Sequence, residues 1–334
     1  VGKMAGFGDI VGHEQVISHL KNAISMGKVS HAYILNGPEG AGKRMIAEAF
    51  ARALQCENHD TEGCGKCRSC HQAESRNHPD IIYVNHEKPN TISVADIREQ
   101  INGTIDIKPY NTTSRYKVYI VDEAEKMNVQ AQNALLKTIE EPPAYAVILL
   151  LTTNADAFLQ TIRSRCVTLE LKAVADEKIH NMLMRNYQVV DYKADVCVAF
   201  AQGNVGKAIL LAGSQTFNEL KDQTIRLVRK LRDTEVADIM SEVKAIEEFE
   251  QIDDFFDLLL LWYRDVLIYK ASGSDAKLIY KDQANEIARQ AEDCFFDGLN
   301  RILDGISQAR RRLHFNVNQD MTLELLFLLI KENL

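Results

Sequence analysis

The chain has 334 residues, 46% of them hydrophobic, and a formal charge of −8. That length accommodates two or three domains and the composition excludes disorder, while the negative balance excludes a surface that grips nucleic acid by bulk electrostatics. Any nucleic-acid contact is expected to be local.

The segment from Val1 to Gly12 lacks the basic-then-apolar layout of a signal peptide. The longest apolar runs, near Phe255 to Trp262 and Leu325 to Ile330, are too short to span a bilayer, so a soluble cytoplasmic protein with no membrane partner is expected. A helix is predicted over about 13–26, with Val16, Ile17, Leu20, Ala23 and Ile24 at helical spacing. It reads equally well as a packing helix or as a lining for a base pocket. The apolar strand 32–35 then leads into Gly37-Pro38-Glu39-Gly40-Ala41-Gly42-Lys43-Arg44, and a helix follows to Leu54.

This is the setting in which G-x-x-x-x-G-K-[ST] binds phosphate. The glycines Gly37, Gly40 and Gly42 let backbone N–H groups converge on an anion at a helix N-terminus, and Lys43 reaches toward the outer phosphates. The next position should carry a hydroxyl that ligates Mg2+, yet Arg44 offers only donors and a positive charge. A cation cannot ligate a cation.

After that helix come Cys56, Cys64, Cys67 and Cys70, four of the seven cysteines, in a polar, glycine-containing stretch. The clustering suits a metal site in a reducing compartment better than a disulfide framework. Four thiolates complete a closed tetrahedral Zn2+ site with no open position for catalysis, so a structural zinc is expected, with His59 and His71 spare.

Short apolar strands alternating with helices follow: strand 81–84, helix 94–101, strand 117–121 ending in Asp122-Glu123, and a helix 129–140 capped by Asn128 and stopped by Pro142-Pro143. Strands 146–152 and 167–171 complete a predicted five-stranded parallel sheet covered on both faces, with functional residues at the strands' carboxyl ends. Asp122 is placed there to hold Mg2+ through water and Glu123 to orient an attacking water. Residues 172–212 read as a small helical lid in which Gly203 to Gly206 separate two helices. The remainder is predicted helical over 220–231, 236–249, 252–270, 275–293, 296–315 and 321–334, and the nearly all-apolar 253–268 belongs at the centre of a bundle.

Gly37 to Lys43, the four cysteines, Val121-Asp122-Glu123-Ala124-Glu125, Asn133-Ala134-Leu135-Leu136-Lys137-Thr138-Ile139-Glu140-Glu141-Pro142, Leu151-Thr152-Thr153-Asn154 and Ser164-Arg165-Cys166 together resemble a bacterial clamp-loader subunit of the AAA+ class. The order and spacing cover about half the chain. The resemblance implies an AAA+ P-loop domain over 1–171 with a zinc-binding insertion at about 56–70, a helical lid over 172–212 and a helical collar for oligomerisation over 213–334. It makes Thr153 the sensor 1 residue and Arg165 an arginine finger presented to nucleotide on an adjacent subunit. Motor subunits of the family carry Thr or Ser after the loop lysine and an arginine in the lid, and here those places hold Arg44 and Gly206. Partners implied are the motor ATPase and clamp-opening subunits, the sliding clamp, and primed DNA through the assembled complex of a replicative polymerase.

Two readings stand. In one the chain is a non-hydrolysing subunit whose degenerate loop holds ATP weakly or not at all, enzymatic only as part of the holoenzyme. In the other it is an active ATPase motor that tolerates Arg44.

Overall fold

The computed structural model describes residues 6–86, 88–110, 115–231, 235, 252–315 and 317–334. The chain forms two compact units, one from Val1–Ile179 with Gly203–Lys207, the other from His180–Gln202 with Ala208–Leu334.

The first unit is built on a sheet of β1 (Ala32–Asn36), β2 (Ile81–Val84), β3 (Lys117–Val121), β4 (Ala146–Thr152) and β5 (Val167–Glu170), in the order β2-β3-β4-β1-β5. All four neighbouring pairs are parallel, as the strand-helix alternation requires. Around it lie α1 (Glu14–Ser25), α2 (Lys43–Leu54), α3 (Arg68–Glu74), α4 (Val94–Ile97), α5 (Val129–Glu140) and α6 (Gln160–Arg163).

Alternate residues of one strand enter opposite cores. Tyr33, Leu35, Val118, Ile120, Leu149 and Leu151 pack with Leu20, Ile46 and Phe50 from α1 and α2. Ile34, Tyr119, Val121, Ile148 and Leu150 pack with Leu135, Ile139 and Ile162 from α5 and α6. A sheet buried on both faces needs strands that are apolar throughout, and β4 is buried along all seven positions. Because β4 lies between β3 and β1, the segments after Asn36, Val121 and Thr152 emerge side by side at one edge of the sheet.

The predicted helix 94–101 changes character midway, and Arg98–Asn102 forms a π turn. Side chains compete for its end: Thr104 Oγ1 donates to Gln100 O at 2.7 Å, and Asn102 Nδ2 to Ala134 O at 2.9 Å.

The later helices are α7 (Asp176–Tyr187), α8 (Asp191–Ala201), α9 (Val205–Gly213), α10 (Gln215–Lys230), α11 (Ile252–Ser272), α12 (Ala284–Asp293), α13 (Phe296–His314) and α14 (Gln319–Asn333). The predicted helix 236–249 lies outside the described residues. A parallel α/β sheet unit with a helical C-terminal part matches the fold class expected from the sequence. α11 is central to its unit, with Phe255, Phe256, Leu258, Leu259, Trp262, Tyr263 and Val266 all buried. The predicted helix 275–293 begins only at Ala284. Fully buried Asp265 explains the delay: its Oδ2 accepts the N–H groups of Ile279 and Tyr280 at 2.7 and 2.8 Å and holds them in a turn.

Candidate functional site

The phosphate-type loop joins β1 to α2. Gly37 N–H is pinned to Thr152 O of the neighbouring strand at 3.1 Å, and Gly42, at φ 91°, takes the left-handed conformation that opens the helix. Every carbonyl from Gly37 to Ala41 accepts a hydrogen bond from this same chain. Lys43 Nζ donates to Gly37 O at 2.6 Å and to Pro38 O at 2.9 Å. Asn204 Nδ2 donates to Glu39 O at 2.6 Å, Gly206 N–H to Gly40 O at 3.0 Å, and His13 Nε2 to Ala41 O at 3.0 Å. The loop is therefore braced by Lys43, by His13 and Asn204, and by a backbone amide at the start of α9. The amide groups of the first turn of α2 remain as the orphan donors of a helix start.

A cavity of about 420 Å³ opens in front of this loop, lined by Gly40, Gly42, Lys43, Asp122, Glu123 and Thr153 among others. The structure thus brings together six of the seven residues picked as a nucleotide site; the seventh, Gly37, is off the lining, and its carbonyl accepts from Lys43. Burial lowers the Lys43 pKa, with the Glu125, Asp122 and Glu39 carboxylates pulling it back up.

Arg44 sits in this cavity too. Its Nη1 lies 3.7 Å from Asp122 Oδ2 and its Nε 3.2 Å from Glu48 Oε1. Arg76 Nη2 meets the same Glu48 oxygen at 2.8 Å, and both guanidinium groups lie about 6 Å from the Tyr83 ring. Glu48 is only 6% exposed, so Arg44 is held in a charge network that the sequence reading did not name, although the i,i+4 spacing to Glu48 could have suggested part of it.

The other acids are also engaged. Glu123, at φ 49°, pairs through Oε2 with Lys126 at 2.7 Å. Thr153 Oγ1 donates to Glu125 Oε1 at 2.7 Å. Burial pushes the Glu125 pKa up, but the hydrogen bonds led by Thr153 outweigh it and leave the carboxyl below its ordinary range.

Gly206 explains the missing lid arginine in steric terms. A Cβ there would lie 2.6 Å from Gly40 O and 2.8 Å from Gly40 Cα, both backbone atoms, so no side chain fits without displacing the loop. Sequence reasoning missed His13 and Asn204, whose partners lie 28 and 165 residues away.

Arg165 stands apart from this cavity, just beyond α6. Its Nη1 donates to Thr161 O at 3.0 Å and its Nη2 meets Glu140 Oε1 at 3.0 Å, with 40% of the side chain exposed. Next to it, burial pushes the Cys166 thiol up to about 12.

The four clustered cysteines converge, with their sulfur atoms all within 4.8 Å of one another. Tetrahedral Zn–S bonds of about 2.3 Å imply S···S separations of about 3.8 Å, and Cys64 Sγ lies 4.0 Å from Cys70 Sγ. Backbone amides already point at the sulfurs: Cys64 N–H at Cys56 Sγ and Cys70 N–H at Cys67 Sγ, both at 3.4 Å. Backbone donors led by Lys66 bring the Cys64 thiol down to about 6, whereas burial raises that of Cys70. His59 is taken up by Arg115 at 3.2 Å and His71 faces Glu74 at 3.7 Å, so the donor set that fits a metal is the four thiols.

Comparison with known proteins matches residues 12–175 to the family described as "DNA polymerase III, delta subunit" and residues 218–332 to "DNA polymerase III, delta subunit, C terminal". The DNA polymerase III subunit delta' of Bacillus subtilis is 30% identical over 324 residues, covering 95% of this chain and 96% of that one. The subunit tau of the same organism is 27% identical, covering 92% of this chain but 58% of the longer relative. A solved DNA polymerase III gamma subunit-related protein of Thermotoga maritima aligns at TM-score 0.42 and 18% identity, over 95% of this chain and 99% of that one. A match at 30% identity along nearly the whole of both chains, with family matches in both halves, places this chain in the delta-prime family of DNA polymerase III clamp-loader subunits.

Proposed function

We propose that this chain is a clamp-loader subunit that does not turn over ATP itself, supplies Arg165 to nucleotide on a neighbouring motor subunit, and so helps load the sliding clamp onto primed DNA. The observation that carries the reading is the Arg44–Asp122 pair. In a working loop, a hydroxyl after the lysine and a strand-end acid share Mg2+. Here a guanidinium stands on the metal side of Asp122, Lys43 is turned onto loop carbonyls, and Gly206 leaves no room for a lid arginine. Thr153 and Glu123, both engaged within the chain, belong to a site that keeps its shape but not its chemistry. The motor alternative requires Arg44, Lys43 and Gly206 all to move.

The division into a P-loop domain over 1–171, a lid over 172–212 and a collar over 213–334 is part of this reading, as are assembly with motor and clamp-opening subunits and cytoplasmic residence. Cys56, Cys64, Cys67 and Cys70 would hold a structural Zn2+, which supplies a core to an insertion that has few apolar residues of its own.

Two measurements test the proposal. The isolated chain is expected to show no sustained ATP turnover; turnover abolished by Lys43→Ala would establish the motor reading instead. In a reconstituted loader with clamp and primed DNA, Arg165→Ala should leave assembly intact and slow the pre-steady-state burst at the neighbouring site. Fingers supplied in trans are worth on the order of 10³ to 10⁵ in turnover, and other sites in the loader dilute the effect on the total. An unchanged burst size and rate would remove Arg165 from the mechanism.

A further inference from the structure

Arg165 does not swing freely from its helix end. Its own N–H bonds to Ile162 O at 3.0 Å, and Ile162 is fully buried, so the backbone that carries it is fixed. The guanidinium is fixed as well, from two sides: Thr161 O takes Nη1 and Glu140 Oε1 takes Nη2, both at 3.0 Å.

Glu140 is the last residue of α5. That helix is locked by buried Leu135 and Ile139 and by Thr138 Oγ1 donating to Asn102 Oδ1 at 3.1 Å. A carboxylate at a helix C-terminus faces the negative end of the macrodipole, a placement disfavoured unless a cation compensates. Arg165 is that cation. A guanidinium presents five N–H donors in one rigid plane, and two contacts on the same chain fix that plane while leaving other donors at the exposed edge.

We infer that Glu140 is a positioning residue for Arg165: it sets the plane in which the guanidinium meets the phosphates of a nucleoside triphosphate held by the adjacent subunit. This rests on the reading of Arg165 as a finger. Misplacing a catalytic group by about 1 Å costs on the order of 100-fold in rate, so loss of the clamp is felt although Glu140 touches no substrate.

The test compares loaders reconstituted with wild-type chain, Arg165→Ala, Glu140→Ala, Glu140→Gln and the Glu140→Ala/Arg165→Ala double variant, in single-turnover ATP hydrolysis with clamp and primed DNA. Glu140→Ala should lower the rate at the neighbouring site by roughly 10- to 100-fold without changing the ATP concentration for half-maximal rate or the chain's unfolding midpoint. Glu140→Gln, which keeps an acceptor oxygen, should retain more activity than Glu140→Ala, and the double variant should be no slower than Arg165→Ala alone. If Arg165→Ala slows hydrolysis but Glu140→Ala does not, or speeds it, the positioning role is overturned and the finger stands. If Arg165→Ala has no effect, the finger reading falls and the positioning role with it.

Discussion

At the scale of single residues, the candidate nucleotide site is governed by which charges find partners. Arg44 matters most, because it pairs with Asp122 and shares Glu48 with Arg76. Thr153 shows the same logic, since its hydroxyl is committed to Glu125. Glu125 has a folded-state pKa below its ordinary value of 4.5, the net of burial raising it and hydrogen bonds lowering it further. A carboxyl depressed in this way contributes stability that is fully present above the unfolded pKa and is lost as pH falls through the folded one. Thr153→Val is therefore expected to destabilise the chain at neutral pH by at most about 1 kcal/mol, because the pair is partly exposed. The difference from wild type should shrink as pH drops below 4.5, and urea titrations at a series of pH values would show it. A deficit that grew toward acid would mean that the hydroxyl does not hold the ionised carboxylate.

Among the elements, the cysteine insertion is the one whose stability the proposal assigns to a bound metal. Cys56 and Cys70 are buried, and Cys67 Sγ caps α3 by accepting the Cys70 N–H. The insertion is tied to the sheet unit by Ser69 Oγ and His78 Nε2 at 2.8 Å and by Arg52 Nη2 donating to Glu62 O at 3.2 Å. Chelation, or Cys64→Ser with Cys67→Ser, should release one Zn2+ per chain. Hydrogen-exchange protection should then fall over 56–74 by at least about tenfold, equivalent to ~1.4 kcal/mol, while the strands keep theirs. Metal analysis of protein kept reduced throughout purification checks the premise, and absence of zinc would refute it.

For the whole molecule, charge is the property that limits what it does alone. With a formal net charge of −8, the chain has no surplus of cations to release counterions from a duplex. The isolated chain is expected to show no measurable affinity for primed DNA at about 0.15 M salt, which is what the proposal requires if any DNA contact is made through the assembled loader. Fluorescence anisotropy with labelled primer-template reads this directly, and micromolar binding would point to a local basic site on this chain. The chain belongs to the delta-prime family, and its proposed role lies in the assembled loader.

What the sequence determined by itself were the features that depend on local chemistry. Unbroken apolar runs specified strands buried on both faces, the glycine-lysine loop specified a strand-to-helix turn, and four closely spaced cysteines specified a thiol cluster. Arg44 was legible as the wrong residue for a metal, because a guanidinium has no lone pair to give. What the fold alone decided were interactions between residues far apart in the chain. His13 and Asn204 reach the loop carbonyls, Gly206 closes on Gly40, Glu140 holds Arg165, and Asp265 delays the start of α12 by taking two amides of the preceding turn. Such contacts leave no periodicity or spacing in the sequence. They exist because burying backbone and charged groups demands partners, and only the packed chain determines which residue is near enough to serve.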